Sequence, residues 1–217
     1  MDMLAAFPHL TPHEFDQACS GLCQRYRRPG AGQSGWQSVH MVQSLDTKYL
    51  SITKELQLRE ELEHDDQDHG QEAVLADEDD EEALDAPRRL APLVHYHVLL
   101  SPVYRVPVLY VSITDAHHRY PPTMATLYEH LMPEHFKAQA ENAGLLGGVT
   151  IHDHPVTNRP VFFIHPCQTA TVMEAAVGKT QVTAEHYLLI WMGALAQCVG
   201  LNVPLQLMRH DATHDHT

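Results

Sequence analysis

Residues 92 to 113, PLVHYHVLLSPVYRVPVLYVSI, contain two apolar runs of period two separated by the turn-rich SPVYR. Successive side chains of a strand point to opposite faces, so Val94, Tyr96, Val98 and Leu100 share one face of the first run. Val108, Tyr110 and Ser112 share a face of the second. Upstream, WQSVHMVQSL and KYLSITKELQL alternate in the same way and form a second candidate hairpin. Four strands in sequence order with short links predict a four-stranded antiparallel meander. Only a long acidic insertion between the second and third strands interrupts it.

Helices flank this meander. Thr11-Pro12-His13-Glu14 has the form of a capping box with proline at the first helical position, and Phe15, Ala18, Cys19, Leu22 and Tyr26 follow at helical spacing. A helix over about 12–28 is expected. A second is expected from near Thr123 to beyond Met132, with Pro133 restarting it and Leu127 and Leu131 as its apolar stripe. GLLGGVTIHDHP and RPVFFIHP read as an extra pair of shorter strands. The final helix starts near Thr183 in TAEHYLLIWMGALAQCVG, is apolar enough to be buried, and ends at Gly200 as a left-handed terminator. The fold class is α+β, and one domain over 1–217 is the expected organisation.

Charge divides the chain unevenly. Of 28 acidic residues, 15 lie between Glu55 and Asp85, a stretch whose single base is Arg59, and the remainder is balanced at 13 acids and 13 bases. The segment over about 59–90 lacks a core-forming pattern and has the composition of a solvated or disordered insertion; an acidic docking tail is the functional alternative. The tail over about 209–217 is expected to fray. No basic stripe interleaved with aromatics marks a nucleic-acid binder. No window approaches the roughly 18 apolar residues of a membrane span, and the first residues lack a secretory pattern. A soluble, cytoplasmic protein without stable membrane insertion is expected, and Cys19, Cys23, Cys167 and Cys198 then read as free thiols.

Cys167 stands apart from the other cysteines. It follows a strand and a proline and precedes the helix-like QTATVMEAA, so its thiol is placed near the amino end of a helix. Unpaired N–H groups and the helix dipole stabilise thiolate there and make the sulfur a usable nucleophile. A buried structural cysteine is the alternative. His165, two residues earlier, either orients the thiol, polarises an acyl carbonyl or fills the turn. The 18 histidines form no zinc signature. His95 with His97, and His152 with His154, would give two ligands each, short of a closed site. GAGQSG and GLLGG lack the features of phosphate-cradling loops, and no Gly-x-Ser-x-Gly is present.

HPVTNRPVFFIHPCQTATVM, with VLLSPVYRVPVLYVSI before it and CVGLNVPLQL after the last helix, resembles the autophagy ubiquitin-like-conjugating enzymes over residues 93 to 207. The resemblance implies a ubiquitin-conjugating-enzyme-like core with an extra strand pair before the catalytic cysteine. It implies that Cys167 accepts the carboxyl-terminal glycine of the modifier autophagy-related protein 12 as a thioester. The activating enzyme, autophagy-related protein 7, would hand the modifier over, and a lysine of autophagy-related protein 5 would receive it, with no metal or organic cofactor. Ordinary ubiquitin-conjugating enzymes carry an oxyanion-donating asparagine in His-Pro-Asn; here the sequence is His154-Pro155-Val156. The donor is therefore open, with His165 a candidate and Tyr96, Tyr104 and Asn158 further polar groups whose plainer roles are sheet packing and a turn. Two rivals are a lipid-conjugating sibling of the autophagy-related protein 3 type and an inactive modifier-binding module.

Overall fold

A computed structural model describes residues 3–28, 35–44, 47–57, 91–137, 148–178 and 180–208. The acidic stretch 59–90 and the tail 209–217 lie outside the described residues.

The first helix, α1 (Pro12–Tyr26), begins as the sequence predicts. Thr11 Oγ1 accepts the Glu14 N–H at 3.2 Å and Glu14 Oε2 accepts the Thr11 N–H at 2.8 Å, so two otherwise orphaned donors are satisfied reciprocally. Phe15, Ala18, Cys19 and Leu22, three and four residues apart, form its buried stripe.

The strands β1 (Trp36–Ser44), β2 (Thr47–Glu55), β3 (Leu93–Leu100) and β4 (Pro107–Thr114) form the expected antiparallel meander. The strands β5 (Val149–Asp153) and β6 (Pro160–Ile164) form the expected extra pair. The six make one sheet in the order β1-β2-β3-β4-β6-β5, with β6 inserted beside β4 and β5 at the edge. The pairs Leu109–Ile164, Tyr110–Phe163 and Val111–Phe162 join β6 to β4.

Alternation divides the side chains between two faces. Leu50, Ile52, Val94, Tyr96, Val98, Leu109, Val111 and Phe162 enter the main core together with α1 and the later helices. On the opposite, outer face, Tyr49, Leu99 and Val108 form a smaller cluster with Tyr110, Val156 and Phe163. The helices therefore cover one side of the sheet, and the meander presents a thinner aromatic layer on the other.

The helix expected from Thr123 differs from the prediction. Thr123 caps a single α-turn, α2 (Met124–Thr126), by accepting the Thr126 N–H, and Leu127–Leu131 then widen into a π-helical turn closed by Met132 N–H to the Leu127 carbonyl at 2.8 Å. Pro133 forces extended backbone on the residue before it, and Met132 sits at φ −82°, ψ 121°. Leu127, Leu131 and Met132 all enter the core from this turn and its end.

A 3-10 turn (Pro166–Gln168) leads from β6 into α3 (Thr169–Val177). The most deeply buried helix, α4 (Ala184–Leu195), packs on α1 and passes through a 3-10 turn to Gly200 at φ 75°, the left-handed stop that the sequence predicts. Around that stop, Tyr96 Oη donates to the Val199 carbonyl (3.0 Å) and Lys54 Nζ to the Gly200 carbonyl (2.8 Å). The short helix α5 (Leu205–Met208) follows and returns towards α1, where the buried Arg25 guanidinium donates to the Leu207 carbonyl at 3.2 Å.

Candidate active site

The junction of β6 and α3 is built from consecutive residues. Phe162 and Val161 anchor β6 in the interior, Pro166 and Thr169 are buried on either side of the turn, and Met173 fixes α3 in the core. Between these anchors Cys167 is exposed. The other three cysteines are not: Cys19 and Cys23 are buried and Cys198 is half-buried. Burial raises the thiol pKa of all three, that of Cys198 to about 11, because a low-dielectric site penalises the thiolate. The sulfur free to meet a large partner is thus at residue 167, ahead of the first turn of α3, whose N-cap residue Gln168 supplies no side-chain cap.

His165 is held from several sides. Its backbone N–H donates to the Gly148 carbonyl at 2.7 Å, tying the loop to the start of β5. Its ring Nδ1 accepts the Cys167 N–H at 3.1 Å. A ring nitrogen that accepts an N–H carries no proton, so the proton of the neutral imidazole lies on Nε2, which is left as a donor. Tyr104 meets the ring edge-on at 5.6 Å between centroids, and Phe163 does so at 6.0 Å.

Of the three further polar groups considered from sequence, Tyr104 alone lies beside this junction. Tyr96 is 1% exposed and its hydroxyl is engaged at Val199. Asn158 occupies a left-handed position (φ 52°) in the β5–β6 turn and donates its N–H to the His154 carbonyl. The histidine pairs do not make a metal centre: among the described residues no three His, Cys, Asp or Glu side chains are placed to hold an ion. His97 and His154 are instead hydrogen-bonded to each other at 3.0 Å. Sequence spacing carries no signal for that contact, which links residues 57 apart.

Residues 14–206 match the sequence model of a family described as "Autophagocytosis associated protein, active-site domain". The chain belongs to that family. A relative from Gibberella zeae named "Ubiquitin-like-conjugating enzyme ATG10" is 30% identical, the alignment covering 93% of this chain and 97% of the relative. A human protein of the same name is 33% identical over 51% of this chain and 50% of its own length. A crystal structure of "Autophagic E2, Atg10" superposes with a TM-score of 0.44 at 15% identity, covering 89% of this chain and 99% of that one. Family membership makes the protein a transferase of the ubiquitin-like-conjugating type acting in autophagy. No described helix is long and apolar enough to cross a membrane.

Proposed function

We propose that Cys167 is the acyl carrier and that its cargo is autophagy-related protein 12. The observation that carries this reading is the placement of one exposed thiol at the strand-to-helix junction, flanked by a histidine whose Nε2–H points away from its backbone partner. In the loading step the Cys167 thiolate attacks the thioester carbonyl of the modifier on the activating enzyme, autophagy-related protein 7. A new C–S bond forms, and the activating enzyme's thiolate leaves with the electron pair of the broken one. In the discharge step a neutral lysine amine of autophagy-related protein 5 attacks the same carbonyl. The oxyanion that develops accepts from His165 Nε2–H, and collapse expels the Cys167 thiolate while the amine loses its proton to solvent.

This reading takes the chain as one conjugating domain working in the cytoplasm, with the acidic stretch 59–90 as an inert decoration of the β2–β3 connection. The relatives' shared name supports the protein-conjugating branch over the lipid-conjugating one. The test is incubation with activating enzyme, ATP and each modifier in turn, followed by electrophoresis with and without reductant. Wild type is expected to hold autophagy-related protein 12 in a reductant-sensitive adduct, and Cys167→Ser to hold it in a reductant-resistant ester. An adduct that survives unchanged in Cys167→Ala would remove Cys167 from the role. Selective loading of a different modifier would assign the lipid-conjugating branch.

A further inference from the structure

Two histidines from remote parts of the chain meet on the outer face of the sheet. His154 follows β5, in the turn that joins it to β6, yet it is 1% exposed. Its Nδ1 accepts the Val156 N–H at 3.2 Å and the Thr157 N–H at 3.3 Å, so it caps the turn. With Nδ1 thus occupied, the proton of the neutral ring sits on Nε2 and is donated to His97 Nδ1 at 3.0 Å. The sheet order places β4 and β6 between His97 on β3 and the edge strand β5. The bond therefore passes over β4, where the Tyr110 ring lies 5.2 Å from His154, and Tyr49 of β2 closes on His97 at 4.7 Å and on His154 at 5.8 Å.

The hairpin also joins the meander through the short β4–β6 ladder and through Val156 and Phe163 in the outer cluster, and His165-Pro166-Cys167 is the direct continuation of β6. We infer that His97 is a positioning residue for the transfer reaction: through His154 it fixes the β5–β6 hairpin on the meander, and so fixes the direction in which β6 delivers His165 and Cys167. The inference rests on Cys167 being the acyl carrier. Loading needs an accessible thiol. Discharge needs the carbonyl, the His165 donor and an incoming amine in one geometry, where a displacement of about 1 Å costs on the order of a hundredfold in rate. Loss of the link therefore shows in discharge.

Acid opposes the link, because a proton on His97 Nδ1 removes the acceptor. Burial first, then the neighbouring His154, His95 and His40, push the His97 pKa down to about 4. Among the described residues, the other titratable or charged groups around the pair are Tyr49 on β2, Tyr110 on β4, Tyr120 after β4 and Arg159 at the end of the hairpin turn.

The deciding experiment compares wild type, His97→Leu and His97→Asn in loading by activating enzyme and in single-turnover discharge onto the acceptor lysine. Asparagine places an accepting oxygen where Nδ1 stood; leucine places none. His97→Leu is expected to load within twofold of wild type and to discharge at least tenfold more slowly at saturating acceptor, with the acceptor KM unchanged. His97→Asn is expected to recover discharge to within threefold. Wild-type discharge by His97→Leu, or equal loss in both variants, overturns the inference, whereas failure of wild type to load at Cys167 overturns the reading beneath it. Should His97→Leu not fold, His154→Asn keeps an acceptor for the turn and lacks the reach to His97, and it must show the same slow discharge. Nitrogen NMR of the wild-type rings supplies an independent reading: a proton on His154 Nδ1 at pH 7 overturns the inference.

Discussion

His165 shows how two hydrogen bonds fix the position and tautomer of one side chain. Its Nδ1 is occupied by the Cys167 backbone N–H, so in the neutral ring the hydrogen-bond donor is Nε2. A single oxyanion donor is worth about a hundredfold or more in rate. His165→Ala is therefore expected to slow discharge onto lysine about a hundredfold and to leave loading close to wild type, measured by following the thioester in single turnover. Equal slowing of both steps would transfer the role of His165 to the thiol itself. The histidine was identifiable from its position two residues before Cys167, but its tautomer was not. Which nitrogen holds the proton depends on the turn geometry that places Nδ1 against the Cys167 N–H.

Among the elements, the end of α4 shows how a local signal and a long-range contact reinforce one another. Gly200 is at φ 75°, where a Cβ strains the backbone, and a Cβ built there would stand 3.1 Å from the Leu131 carbonyl oxygen. Gly200→Ala is expected to cost about 1–2 kcal/mol and to lower the melting temperature by several degrees. An unchanged melting curve would mean that the stop is not strained. The glycine's conformation was legible because helix ends follow local rules. The Leu131 approach was not, because it depends on the widened turn at Leu127–Leu131, whose shape is set by packing and by Pro133.

For the molecule as a whole, the outer face makes stability depend on pH. Burial depresses the pKa values of His95, His97 and His154, that of His97 to about 4, with neighbouring histidines adding to the effect. The unfolded chain then binds more protons than the folded one between the ordinary histidine value and the depressed ones. Stability is therefore fully present above about pH 6.5 and is lost as pH falls below it, for His97 down to about pH 4 at up to about 1.4 kcal/mol per pH unit, with His95 and His154 acting in the same direction. Asp115 does not mask this trend: hydrogen bonds from Arg119 hold its carboxyl below the usual range, so it stays ionised through the window. Urea unfolding at pH 7 and pH 5 is expected to give a lower midpoint at pH 5, with a smaller difference in His97→Asn. A pH-independent midpoint would show that these rings protonate without cost in the folded protein.

Period-two alternation, a capping box and a glycine stop are short-range patterns, and they determined the four-strand meander, both ends of the helical frame and the strand-to-helix junction that holds Cys167, while its exposure was left to the tertiary structure. Each depends on residues a few positions apart, whose geometry the backbone fixes. Tertiary structure alone decided which face of the sheet the helices cover, that β6 inserts beside β4, and that Tyr104 meets His165 and His97 meets His154. Such contacts join segments whose separation in sequence carries no spacing rule, and they are selected by how buried surfaces and hydrogen-bond donors can be satisfied together.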